Sequence, residues 1–267
     1  MPIWFSPIDA SYFRDYRKKL GFSSQGGAKD FFKANDIKPD LDWKYVEALS
    51  TRLHQIVDRL QGVLPLEIRE GDLSAFKKAY IDLALSQIRS NELLPKLNNQ
   101  GRRPEEVYFA WMRGYVTASY FRNALSLLFS VAPETILSVG QDDLSSADTF
   151  KRAPTADLQL VRLNGGQQRI EMQSGFSGIN DVKEHKVREA KRLFREQGIP
   201  TMVIHFDLFN GQVGFIPLEQ IEDDSTNWVT RQQMEGQTVF SIDQNSFLWR
   251  LTEPPRTIEE YEAILGS

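Results

Sequence analysis

Apolar positions recur at helical spacing through the first half of the chain and switch to alternation beyond residue 155. From Asp42 to about Gln61, Tyr45, Val46, Leu49, Leu53, Ile56, Val57 and Leu60 form one stripe; Asp42 supplies the N-cap, and Gly62 and Pro65 end the run. Asp72 opens a second helix, Leu73 to about Leu93, with Phe76, Tyr80, Leu83 and Ile88 as its apolar partners. Pro104-Glu105-Glu106 opens a third, since proline suits the first turn and acids suit the positive end of the helix dipole. That helix runs to about Phe129 and carries Tyr108, Phe109, Trp111, Tyr115, Tyr120 and Phe121, an aromatic stripe read as core rather than as a base-stacking surface.

Residues 140 to 152 read as a polar loop, after which the period changes to two. Leu158 and Leu160 point one way while Asp157, Gln159 and Val161 point the other; Ile170 and Met172 then take the apolar side and leave Arg169, Glu171 and Gln173 on the polar, non-core side. Asn164-Gly165-Gly166 tolerates positive φ and folds the two strands into a hairpin. Residues Asp181 to Gln197 read as an amphipathic helix with Val182, Val187, Ala190, Leu193 and Phe194 toward a sheet, ended by Gly198 and Pro200. Residues 201 to 206 form a buried strand, and Asn210-Gly211 turns the chain into a further strand at 213 to 216. The expected fold class is α/β (α+β): a mixed-sheet core at 141–267, flanked by helices, behind a mostly helical region at 1–140. The two parts are expected to be separate or one integrated domain.

Composition narrows the chemistry. The 267 residues are 41% apolar, enough for a substantial core. No stretch of 18 uncharged apolar residues is present, Ala118 to Ala132 being interrupted by Arg122 and Asn123. Residues 1 to 13 lack a basic region and a cleavage site, so a cytoplasmic location is expected. With no cysteine there are no disulfides or thiolate metal sites, and three histidines argue against a histidine-rich one. Oxygen-ligand metal chemistry is left, and two carboxylates on neighbouring strands, Asp157 and Glu171, make a site for a hard divalent cation such as Mg²⁺.

A net charge of −4 argues against a generic coat for nucleic acid. Residues 14 to 38, however, carry seven Lys/Arg against three Asp, and residues 181 to 195 six against three. Gripping phosphates along one cleft needs local positive surface, not a positive total. Residues Gly21 to Lys29 lack the spacing of a Walker phosphate loop and read as a loop that closes over DNA, with Ser23, Ser24, Gln25 and Lys29 touching bases or phosphates, or as a flexible connector. No Gly-x-Ser-x-Gly, His-Glu-x-x-His or Gly-x-Gly-x-x-Gly occurs, which leaves a hydrolase triad or a dinucleotide enzyme without support.

Residues 154 to 218, about a quarter of the chain, resemble the PD-(D/E)xK nuclease family, and within it the type II restriction endonucleases. Asp157 matches the first metal-binding aspartate and Glu171 the acid of the second strand. Gln173 stands where the family usually has lysine, a variant known in the family, and Ser174-Gly175 resembles what often follows. Pro154 lies three residues before the aspartate rather than adjacent. The resemblance implies a restriction-endonuclease-like core and Mg²⁺ held by Asp157, Glu171 and the Met172 carbonyl. Gln173 takes no proton at neutral pH and can only position water. Lys183 and Lys186, read as lying on the first turns of the following helix, are the natural substitutes, with His185 a lesser candidate; each also reads as an ordinary exposed helix residue. A further acid from Glu105, Glu106 or Glu134 is the remaining expectation. The implied function is a homodimeric bacterial or archaeal type II restriction endonuclease, cutting a short double-stranded DNA sequence with Mg²⁺ and paired with a cognate DNA methyltransferase. The alternatives are a non-catalytic DNA-binding protein that keeps the fold, and a nuclease of the same fold that reads structure rather than sequence.

Overall fold

The computed structural model describes residues 10–34, 36–37, 40–97, 102–138, 158–231 and 236–265. The chain divides into two compact units, Met1–Leu41 and Asp42–Ser267.

The first unit holds helices α1 (Ala10–Lys19) and α2 (Gln25–Phe32). Residues 21 to 29 are thus largely a helix start rather than the expected loop. The reason is local: the Ser24 hydroxyl accepts the Gly27 N–H at 3.0 Å and caps α2.

The second unit opens with α3 (Trp43–Val63), capped by Asp42, whose carboxylate accepts the Tyr45 N–H at 3.0 Å. The expected second helix is broken into α4 (Leu73–Lys77), a π-turn over Lys78–Asp82, and α5 (Leu83–Ser90). The wider turn shifts the phase by one residue, so Phe76 and Ile81 are both buried while Leu83, expected in the stripe, is 54% exposed. The third expected helix bends at Phe121 into α6 (Pro104–Tyr120) and α7 (Arg122–Phe129).

The strands are β1 (Leu137–Ser138), β2 (Leu158–Val161), β3 (Gln167–Gly175), β4 (Asp181–Lys183), β5 (Thr201–Asp207), β6 (Gln212–Pro217), β7 (Trp228–Arg231), β8 (Gln237–Ser241) and β9 (Phe247–Arg250). Helix α8 (Glu184–Gln197) lies between β4 and β5, and α9 (Ile258–Leu265) follows β9. The main sheet runs β1-β2-β3-β5-β6-β9; β3 and β5 are parallel and the other pairs antiparallel. The expected mixed sheet flanked by helices is therefore present, with the expected order of hairpin, helix, strand and strand; the two strands prove to be parallel to β3 and antiparallel to β5, respectively. In the hairpin turn, Gly165 has φ 81° and Gly166 N–H reaches the Asn164 side chain at 2.9 Å.

Alternation assigns the two faces of the sheet. Ile170, Met202, Ile204 and Phe206 share one face, where Phe121 stacks on Phe206 at 4.3 Å between ring centres; Phe215 of the same face stacks on Tyr261 of α9. On the other face Val203 and Ile216 join Val187 and Ala190 of α8 in a second core, closed by the small sheet β4-β8-β7. The face expected to be non-core is thus a core of its own. Residues 181–183 form a strand rather than a helix start because they pair with β8, and Val182 packs into that second core.

Candidate active site

Glu171 sits mid-strand in β3, opposite Val203 of β5, and is only 4% exposed. A carboxylate taken so far out of water needs a cation or several hydrogen bonds. Lys186 supplies the cation: its ammonium pairs with Glu171 Oε1. The pairing follows from the helix pattern, because Val187 and Ala190 bury one face of α8 and bring the first turn down over the sheet. Lys183, the other candidate, lies in β4 and forms the N-cap of α8, and His185 is exposed.

Gln173, two residues along β3 on the same face as Glu171, pairs in the ladder with His205. Beside it lies a buried polar chain that the sequence reading missed. His205 Nε2 and Asn180 Oδ1 are 2.8 Å apart, and Asn180 Nδ2 donates to Asp207 Oδ2 at 2.9 Å. Asp207 is fully buried and also accepts from Asn210 Nδ2 at 2.7 Å and Gln212 Nε2 at 3.1 Å. Burial pushes its carboxyl up, but these bonds outweigh that and hold it below its ordinary value. Burial lowers His205 to about 4 against the pull of Asp207 and Asp181, so the ring is neutral at pH 7. A neutral ring that bonds Asn180 Oδ1 carries its proton on Nε2, and Nδ1 is an acceptor. The available signal was a histidine inside an otherwise apolar strand, 201 to 206.

The network has two measurable consequences. Gly175 is required under it: a Cβ there would collide with Asn180 Oδ1 and lie 2.8 Å from His205 Nε2. Gly175→Ala should cost about 1–3 kcal/mol by urea unfolding, and an unchanged midpoint would show that the pair does not sit over Gly175 in solution. The second consequence is a pH slope. Unfolded, His205 takes a proton near its ordinary 6.5; folded, it resists until about 4. Stability from this group is therefore intact above the unfolded value and lost as pH falls from 6.5 toward 4. Between about pH 7 and pH 5 the loss is about 2 kcal/mol. His205→Gln, which does not titrate, should flatten that slope, and equal slopes in both proteins would refute the assignment.

The remaining acids are placed as follows. Glu105 is 1% exposed and accepts the Asp42 N–H at 2.8 Å and Arg103 at 3.2 Å, tying the start of α6 to the start of α3. Glu106 lies in the first turn of α6 and Glu134 in a 3-10 turn after α7. Asp157 lies outside the described residues; Leu158, which follows it, pairs with Ile170, the neighbour of Glu171. Ser23, Ser24, Gln25 and Lys29 belong to the first unit.

Among the described residues no group of three His, Asp or Glu stands together as a metal site. The donors expected from the sequence, the Glu171 carboxylate and the Met172 carbonyl, are adjacent in β3 and are hard oxygens of the kind Mg²⁺ prefers. Glu171 is buried and holds a cation already, so the donor type and the demand for positive charge both fit a hard cation.

No protein-family model matches the chain, and no curated protein matches it. Among solved structures it is similar to Hjc, a Holliday junction resolvase from the archaeal hyperthermophile Archaeoglobus fulgidus, with 15% identity and a TM-score of 0.31 over 54% of this chain and 96% of that one. At that score the likeness carries no argument about substrate.

Proposed function

We propose that the chain is a metal-dependent nuclease of the PD-(D/E)xK type acting on DNA, with its site on β3 and the first turn of α8. The observation that carries this is the ion pair between buried Glu171 and Lys186. It sets a lysine beside the family's acid although Gln173 has replaced the lysine usual two residues on. In this reading Asp157, Glu171 and the Met172 carbonyl hold Mg²⁺, which when bound supplies positive charge at the scissile phosphate and acidifies the attacking water.

The chain's own groups do the rest. Lys186 donates N–H bonds and positive charge where negative charge builds on the phosphate oxygens. Gln173 positions water through its amide without exchanging a proton. The burial of Glu171 keeps bulk water from weakening these interactions.

The finer reading is a type II restriction endonuclease, a homodimer paired with a methyltransferase; a structure-specific nuclease uses the same chemistry on branched DNA. Digestion of genomic DNA and of a synthetic four-way junction, each with Mg²⁺ or with a chelator, tests both levels. Mg²⁺-dependent cleavage supports a nuclease, discrete genomic bands the restriction reading, and cutting confined to the junction the structure-specific one. No cleavage of either substrate would leave the ion pair structural and favour a DNA-binding protein without catalysis.

A further inference from the structure

Helix α1 has no buried residue, so it is not held by an apolar stripe of its own. Ala10, Arg14, Arg17 and Lys18 follow one another at i, i+4, i+7 and i+8, which places them on one face of the helix. That face forms one wall of a cleft of about 390 Å³, whose other wall is Phe22, Ser23, Ser24 and Gln25 at the start of α2. Among the described residues, no acidic one lines it. Arg17 is half-buried there, and none of the three cations forms an ion pair with a carboxylate among the described residues. Like charges gathered in one concavity repel, and the lower the local dielectric the more they repel. An occupant that neutralises all three is a polyanion or a multiply charged anion. Ser23 and Gln25 add neutral groups able to bond phosphate oxygens.

We infer that the cleft of the first unit is a phosphate clamp that grips the DNA backbone through Arg14, Arg17 and Lys18. That the phosphates belong to DNA rests on the nuclease reading; the anion chemistry of the cleft does not. The clamp reads no sequence, because phosphate contacts set position and not base identity. Its signature is a salt dependence that the three cations carry.

The test is fluorescence anisotropy of a labelled duplex bound by the full-length chain in chelator, across a range of salt. Arg14→Gln/Arg17→Gln/Lys18→Gln is compared with Lys44→Gln/Arg59→Gln/Lys78→Gln, which removes the same charge from exposed positions of the second unit. The first variant should lower the slope of log K against log salt by roughly 2 to 3, at about 0.9 for each phosphate that is no longer neutralised, and weaken binding more than tenfold at moderate salt. The second should change both much less. Circular dichroism checks folding, and Arg14→Lys/Arg17→Lys, which keeps the charge, should keep the slope. Equal losses in the two triple variants, or an unchanged slope in the first, would overturn the clamp. So would inorganic phosphate that binds wild type, fails to bind the first variant, and leaves DNA affinity the same in both: the cleft would then serve a free small anion. The readout is separate from catalysis, so a chain that binds with this salt signature yet never cuts would sink the nuclease reading and keep the clamp.

Discussion

Glu171→Gln and Asp157→Asn are each expected to lower Mg²⁺-dependent DNA cleavage by on the order of a thousandfold, the scale on which removing one fixed group that stabilises transition-state charge acts. Glutamine keeps the volume of Glu171, so the packing under α8 persists while the charge is gone. The Lys186 side chain, 21% exposed, can turn toward water once its partner is neutral. Folding should therefore survive, and thermal midpoint and DNA affinity in chelator are the controls. Loss of cleavage with affinity retained places both acids in the chemistry. Cleavage that either variant retains would remove that acid from the proposed metal set. If both retain it, the hairpin is structural and the catalytic site lies elsewhere. Run on genomic DNA, the same series reads specificity as well, since a wild-type smear that disappears in both variants would keep the chemistry and discard the restriction reading.

The parts legible in sequence are those fixed by local pattern. Alternation placed Leu158, Leu160 and Ile170 inward, and Asn164-Gly165-Gly166 marked the hairpin turn, because the period of two and the tolerance for positive φ are properties of the residues themselves. Glu171 and Gln173 were assigned to one face for the same reason. What covers that face was not legible. Helix α8 and the small sheet arrive from residues 182 to 242, and their docking depends on side chains far apart in sequence. Hence a face expected to be non-core holds a buried glutamate. The π-turn at Lys78–Asp82 escaped for a related reason, since a single wide turn shifts the phase and leaves a regular spacing to be read through it. The His205-Asn180-Asp207 chain joins β5 to the loop after β3, and no local rule couples position 180 to position 205.

Lys186 follows from the same geometry and carries a double expectation. Lys186→Met keeps most of the stem volume and removes the charge, which leaves Glu171 buried without a cation. Removing one partner of a buried pair costs about 3–5 kcal/mol, and the partial exposure of Lys186 reduces this to about 1–3 kcal/mol by urea unfolding. Adding Glu171→Gln to the variant should return most of that stability, because no unpaired charge remains. Cleavage should fall by about 10²-fold or more, the range for removing one fixed group that stabilises transition-state charge. Lys186→Arg should keep the stability better than the activity, since a guanidinium can hold a carboxylate but its planar fork spreads the charge that a compact ammonium sets at one point. If Glu171 is also a metal ligand, Mg²⁺ should raise the thermal midpoint of Lys186→Met more than that of wild type, by supplying the cation the substitution removed. A stability loss with full activity would make Lys186 a packing partner and leave the stabilisation of phosphate charge to the metal. No stability loss at all would mean that the pair does not form in solution, and the observation on which the proposed function stands would be gone.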